Sequence, residues 1–170
     1  MIPLFLGLTL VNLLCLCVTA GLGYASGGGS DTKGLHILAG ALSALVCCGV
    51  HCVVFTYFAA TAKWVQHAVL VKQLDTGFVA PTRSFKAQAF PAALVAMAAV
   101  FLAAVLGAAR DNYGIPRAWH HASAIAAVAV NVLVAAVEYR AIARNAKLID
   151  DVLAAAASRG EAAASATASS

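Results

Sequence analysis

Histidines and cysteines, five of each, are the side chains of this 170-residue chain that could support chemistry at a metal or cofactor. Three of the histidines and three of the cysteines lie within residues 36–69. Most of this stretch is free of charged residues, because none lies between Lys33 and Lys63. Imidazole ligates haem iron, zinc and copper, and thiolate ligates zinc and Cu(I). We therefore expect this stretch to carry part of any chemical site.

One candidate metal site consists of Cys48, His51 and Cys52, whose spacing of i, i+3 and i+4 places them on one face of a helix. These ligand types suit Cu(I) or Zn(II). A metal ion would need further ligands from another helix, and Cys15 or Cys17 could reach the same depth. In the alternative interpretation the cysteines are small buried apolar residues and His51 is a hydrogen-bonded structural histidine.

A second candidate is a pair of histidines that holds a cofactor. His36 begins one apolar segment, and His120 and His121 begin another at the same membrane face, so His36 can meet one of the two. Such a pair could ligate a b-type haem, haem b, from facing helices. The alternative is that these histidines face headgroups or water. His51 lies near the midplane, where it could contact a second haem or a quinone, but no other histidine shares its depth.

Polar residues also align along the last apolar segment. His120, Asn131 and Glu138 are spaced by 11 and 7 residues, which places them on one helix face. Polar chains inside a membrane mark proton or ion paths. The alternative assigns Asn131 to interhelical hydrogen bonding and Glu138 to the membrane interface beside Arg140.

The composition determines which elements must position these residues. The chain is 62% hydrophobic and 11% charged, with a mean hydropathy of +0.88. A soluble domain carries about 25% charged residues, so lipid is the expected solvent. We predict an all-α integral membrane four-helix bundle with antiparallel up-down topology. Its transmembrane helices cover residues of about 2–25, 35–69, 86–109 and 117–155.

The predicted domain spans residues 1–157, and its fourth helix extends beyond the membrane. Residues 26–34 and 110–117 read as short turns, and residues 71–86 as a polar loop. Residues 158–170 are rich in Ala and Ser and predict a disordered tail. The first segment is long for a signal peptide and no basic residue precedes it, so we expect it to stay as a helix.

Basic residues predict the orientation. The side that holds both termini and the 71–86 loop carries eight of them, and the opposite side carries Lys33, Arg110 and Arg117. The positive-inside rule then places both termini in the cytoplasm of a cell with the protein in its inner (plasma) membrane. The net charge of +4 therefore indicates topology, and we expect no nucleic-acid partner.

Three functions remain open from the sequence. The first is a small polytopic subunit of a larger membrane complex that binds b-type haem for electron transfer. The second is a structural or assembly subunit without a cofactor, and the third is a small transporter or metal-handling protein. The chain shows no internal repeat or clearly broken helix, which counts against a transporter. No phosphate loop, zinc-protease pair or serine elbow is present, so we expect no independent enzymatic activity. The expected partners are lipids and other integral membrane subunits.

Overall fold

Four long helices form the molecule. A computed structural model describes residues 1–25 and 30–168, and over these ranges it contains α helices, one short 3-10 helix and no β strand. The helices are α1 (Ile2–Ala25), α2 (Ser30–Lys72), α3 (Ala80–Tyr113) and α4 (Arg117–Ala168). Each is long and apolar enough to cross a membrane. The prediction of an all-α four-helix bundle is confirmed, and the chain is a small multi-pass membrane protein.

The bundle is apolar on its outside and built from small residues on part of its inside. Large side chains such as Leu38, Leu94 and Leu133 are more than half exposed, so acyl chains would contact them. The middle of the buried face of α3 consists of Ala89, Ala93 and Ala96, and α3 packs most extensively against α4. Small residues let two helix backbones approach closely, which is how helices associate in lipid without a hydrophobic driving force.

The connection between α2 and α3 is shorter than predicted. The sequence suggested a polar loop over residues 71–86, but α2 continues to Lys72 and α3 begins at Ala80. A 3-10 turn, Thr76–Phe78, lies within the gap, and the Asp75 carboxylate accepts a hydrogen bond from the Gly77 backbone amide at 2.8 Å. Pro81 favours a helix start rather than a loop, because it suits the first turn of a helix.

Three other helix ends differ from the prediction. Helix α3 continues to Tyr113, through the first half of the turn that the sequence predicted at residues 110–117. Helix α2 begins at Ser30 rather than near residue 35, while residues 26–29 of the glycine-rich turn lie outside the described ranges. Helix α4 continues to Ala168, through residues for which the sequence favoured disorder. Alanine has the highest helix propensity, so an Ala-rich segment can continue a helix even where few contacts hold it. Residues 169 and 170 of the predicted tail also lie outside the described ranges.

The two helical hairpins, α1–α2 and α3–α4, repeat each other at a spacing of 84 residues. Buried positions recur at this spacing along all four helices. The buried pairs are Phe5/Ala89, Asn12/Ala96, Leu16/Val100, Ser43/Ala127, Cys47/Asn131, Val50/Val134, Val54/Glu138 and Phe58/Ile142. Cys47 hydrogen-bonds Asn131, and Thr61 hydrogen-bonds Asn145, again 84 residues apart. Equivalent residues that touch each other must lie at an approximate two-fold axis, which therefore runs along the bundle.

This repeat corrects the sequence analysis, which found none. Only a few positions keep their identity across it, among them Gly23 and Gly107, and His36 and His120. They are hidden in a background of Ala, Val and Leu, where chance matches are common. The repeat is therefore visible in which positions are buried rather than in residue identity, and the absence of a repeat no longer counts against a transporter.

Candidate functional site

The two histidines that the repeat relates meet at one end of the bundle, which we call the histidine end. The rings of His36 and His120 have centroids 5.9 Å apart and an interplanar angle of 75°. Both side chains are half-buried. The structure therefore brings together one of the two histidine pairs that the sequence left open.

Each ring is fixed by the same hydrogen bond. His36 Nδ1 lies 3.0 Å from the Thr19 carbonyl oxygen, and His120 Nδ1 lies 3.0 Å from the Ala103 carbonyl oxygen, with 17 residues between partners in both cases. A carbonyl oxygen can only accept, so Nδ1 is the donor in both rings. In a neutral imidazole the other nitrogen, Nε2, then carries a free lone pair. Among the described residues neither Nε2 has a hydrogen-bond partner.

Glycines make room for both rings. A Cβ atom on Gly23 would come within 2.8 Å of His36 Cε1, and one on Gly107 within 2.9 Å of His120 Cε1. Neither distance is tolerable, so any other residue would push the ring away from its carbonyl partner. The sequence analysis missed both glycines, although their equal spacing to the histidines was a usable signal.

His121 occupies a different environment from His120. Its ring packs against Tyr24, with centroids 4.7 Å apart, on the half-buried rim of the bundle. Consecutive helix residues point about 100° apart, so only one of the two histidines can face His36. The structure places His120 in that position.

A cavity of about 740 Å³ opens beside the His36–His120 pair. Both hairpins line it with equivalent residues, including Leu16 and Val100 as well as Gly23 and Gly107. Most of its wall is apolar and made of small side chains. Pockets for drug-sized ligands have volumes of about 300–1,000 Å³, so this one is large enough for a flat organic molecule.

Charged side chains stand at the mouth of this cavity. Lys33 Nζ and Asp111 Oδ2 are 3.0 Å apart, and they join the two hairpins at the histidine end. Arg110 also lines the mouth, with its Nε 3.9 Å from Asp111 Oδ1. The cavity is thus polar and charged at its mouth and apolar in its depth.

Polar side chains link the helices from the wall of the cavity toward the middle of the bundle. Thr19 and Ser43 share a hydrogen bond of 2.8 Å between their hydroxyls. Asn131 Oδ1 accepts a bond from Asn12 Nδ2 at 3.0 Å and one from Cys47 Sγ at 3.5 Å. Asn131 Nδ2 in turn donates to the Ala127 carbonyl at 2.9 Å. The interhelical role that the sequence suggested for Asn131 is therefore present.

A buried histidine–glutamate pair occupies the middle of the bundle. His51 Nδ1 lies 2.8 Å from Glu138 Oε1, and the two side chains are 3% and 1% exposed. Glu138, which the sequence assigned to the membrane interface beside Arg140, is buried on a face of α4 that packs against α2. His51, which seemed to lack a partner in the sequence, has one. Its Nε2 is buried without a hydrogen-bond partner in the described chain.

The structure does not bring the predicted metal ligands together. Cys52 is exposed on the lipid side, Cys48 is half-buried, and His51 is directed to Glu138. Over residues 1–25 and 30–168, no group of three or more His, Cys, Asp or Glu side chains is placed to hold a metal ion. All five cysteines are free thiols, and His67 is exposed at the far end of α2.

No known protein family, curated protein or solved structure matches this chain.

Proposed function

We propose that this membrane protein binds one b-type haem between His36 and His120 and uses it to transfer single electrons. The observation that carries the proposal is the symmetric pair of imidazoles, each fixed through Nδ1 to a backbone carbonyl. A hydrogen bond of this kind selects the tautomer and orients the ring of a metal-binding histidine. Both Nε2 atoms would then be available to hold the haem iron.

The two rings are close enough for both to reach one metal ion. Two imidazoles on opposite sides of one metal, with bonds of about 2 Å, have centroids about 6 Å apart. The observed separation is 5.9 Å. Haem supplies four nitrogens of its own and needs only two from the protein, whereas a structural zinc ion needs four protein ligands. Two histidines without a third ligand therefore favour haem over a bare metal ion.

The cavity has a polarity that matches haem. Its apolar depth suits a porphyrin ring, and Lys33 and Arg110 at the mouth suit the two carboxylates at one edge of the ring. Positive side chains pair with carboxylates through charge-assisted hydrogen bonds. The propionates would then point out of the bundle at the histidine end.

The distribution of basic residues supports an orientation. Three basic residues lie at the histidine end and eight at the other end, so we propose that the histidine end faces outward and both termini lie in the cytoplasm. The haem would then exchange electrons near the outer face of the inner membrane. Association with other integral membrane subunits stays a prediction.

The test is optical. The protein is expressed with added haem precursor and purified in detergent, and its spectrum is recorded before and after dithionite. We expect a Soret band and a sharp α-band on reduction, with about one haem per chain. A colourless preparation would overturn the proposal and leave the structural or transport functions.

Matched variants assign the ligands. His36→Ala and His120→Ala should each abolish low-spin haem binding, because six-coordination needs both imidazoles. His121→Ala is the control, since it removes the neighbouring histidine that packs on Tyr24. If His121→Ala removes the colour and His120→Ala does not, the assignment of the ligand is wrong.

A further inference from the structure

We infer that His51 and Glu138 form a proton-binding site whose occupancy follows the redox state of the haem. The inference rests on the proposed function, because it needs the haem at the histidine end. It concerns a different part of the molecule, about 22 Å further along α2. The observation that points to it is the buried His51–Glu138 pair, in which His51 Nε2 has no hydrogen-bond partner in the described chain. Neither residue takes part in the proposed haem ligation.

The pair can hold one exchangeable proton. A neutral imidazole and a carboxylate together carry one negative charge. With one more proton, on either partner, the total charge becomes zero. The hydrogen bond of 2.8 Å between Nδ1 and Oε1 fits both forms, and Nε2 is the atom left to exchange a proton.

Over residues 1–25 and 30–168, no Lys or Arg forms an ion pair with Glu138. Its only ion-pair contact in the described chain is with His51. Helix α3 has no titratable side chain between residues 87 and 109, and Arg140 on α4 is exposed. Cys47 on α2 is near enough to Glu138 to be affected by its charge. The other titratable groups on this part of α1, α2 and α4 are the Met1 amino group, Cys15, Cys17, Cys48, Cys52, Tyr57 and Tyr139.

The charges of the two sites balance. A ferric haem with two neutral imidazoles carries one positive charge within the bundle, and the ferrous haem carries none. A one-electron reductant delivers the electron to iron, which goes from Fe(III) to Fe(II). The deprotonated pair takes up one proton from water and goes from negative to neutral. The summed charge in the membrane is zero before and after, which avoids the large cost of an isolated charge in lipid.

Hydrogen-bonded polar side chains lie between the histidine end and the His51–Glu138 pair. From the cavity downward, Thr19–Ser43 and then Asn12–Asn131 with Cys47 lie between His36 and the pair. Along α2, Ser43, Cys47 and His51 follow at intervals of about 6 Å, one turn each. With no water to screen them, charges at this distance in a bundle interior still interact. Electron and proton binding are therefore expected to be linked.

The experiment is a redox titration of the haem-loaded protein in detergent at several pH values. In its protonated form the pair is neutral, and in its deprotonated form it is negative and would stabilise a ferric haem. The midpoint potential of the wild-type protein should therefore fall as pH rises. The slope of potential against pH should correspond to the uptake of a measurable fraction of a proton for each electron. Glu138→Gln keeps a hydrogen bond to His51 but cannot take up the proton, so its midpoint should stay near the low-pH value of the wild type.

Asp150→Asn is the matched control, because it removes an exposed carboxylate from the same helix. It should keep the wild-type pH dependence. Redox-difference infrared spectra add a direct readout: reduction of the wild type should produce a protonated-carboxyl band if Glu138 takes the proton or an imidazolium band if His51 takes it, and neither band should appear in Glu138→Gln.

The outcomes separate the two ideas. A protein without haem overturns the proposed function and this inference together. A haem-loaded wild type with a pH-independent midpoint overturns the inference alone. A pH dependence that persists in Glu138→Gln also overturns it, since the proton would then bind elsewhere, for example on a propionate.

Discussion

The histidine end and the middle of the bundle each contain a histidine of α2 opposite a residue of α4, but they differ in symmetry. At the histidine end, His36 faces its own equivalent, His120, and both rings bond backbone carbonyls. In the middle, His51 faces Glu138, and their equivalents in the repeat are Ala135 and Val54. The repeat therefore keeps residue identity at the histidine pair and loses it at the His51–Glu138 pair, although the buried positions on either side, Val50/Val134 and Phe58/Ile142, still follow it.

This difference indicates two separate roles for similar residues. A symmetric pair with unoccupied Nε2 atoms beside a cavity can hold one symmetric ligand between the hairpins. The asymmetric pair of His51 and Glu138 does not line the cavity, and the two side chains bond to each other. A change in either residue should therefore act on the protein through packing and charge. Changes at the His36–His120 pair should alter ligand binding with little effect on folding. Changes at the His51–Glu138 pair should alter folding stability with little effect on ligand binding.

The largest expected effect is on haem retention in Gly23→Ala and Gly107→Ala. The added methyl would push His36 or His120 off its carbonyl partner. Loss of an orienting contact to a metal ligand lowers metal affinity about 10- to 100-fold, so each variant should lose haem about tenfold more readily. Haem content after dialysis against apomyoglobin measures this. Gly7→Ala on α1 is the control, because its Cβ meets nothing within 4 Å.

The fold should not suffer in these glycine variants, since alanine is the better helix former. An equal loss of haem in Gly7→Ala would mean that the effect comes from helix stiffness rather than from ring placement. Gly23, near one end of α1, and Gly7, near the other end, would then have the same effect on haem retention.

The next effect is on stability in the middle. Glu138→Leu leaves His51 buried without a partner, which should lower the free energy of unfolding by about 2 kcal/mol. Unfolding in mixed micelles, followed by circular dichroism, measures it. Replacing both partners, with His51→Leu and Glu138→Leu, should restore most of the loss, because an apolar pair leaves no orphaned group. A double variant as unstable as the sum of the single variants would argue against a paired role.

The sequence was sufficient to predict the four membrane-spanning helices and the contact between His36 and a histidine of α4. Both follow from hydropathy and depth, which need no knowledge of side-chain packing. The choice of His120 over His121 depends on the rotation of α4, which is set by contacts among alanines and glycines that a single sequence does not order.

Glu138 shows a second limit of the sequence. Its neighbour Arg140 suggested the interface, but α4 continues as a packed helix well beyond the apolar segment, so Glu138 is 1% exposed. Its partnership with His51 joins residues 87 apart in the chain. No local pattern indicates such a pair, and the spacing departs from the repeat of 84 that governs the rest of the axis.

A smaller effect is expected at Asn131, between the two regions. Asn131→Leu would remove its bonds to Asn12 and Cys47. Interhelical hydrogen bonds in membrane proteins contribute on average about 0.6 kcal/mol each, so a loss of about 1 kcal/mol of unfolding free energy is expected. Haem content should stay unchanged. A loss of haem in this variant would show that the two regions are not separate.

The smallest effect is expected at the ion pair of Lys33 and Asp111 that closes the mouth of the cavity. Lys33 is 55% exposed, and water and salt screen a pair in this position. Lys33→Gln should therefore leave the thermal midpoint of the haem-free protein within about 2 °C of the wild type. If Lys33 holds a propionate, the variant should instead release haem faster, and more so at low salt, where charges are least screened. A fall in the thermal midpoint as large as that of Glu138→Leu would mean that the ion pair holds the hairpins together, and the histidine end would then resemble the middle.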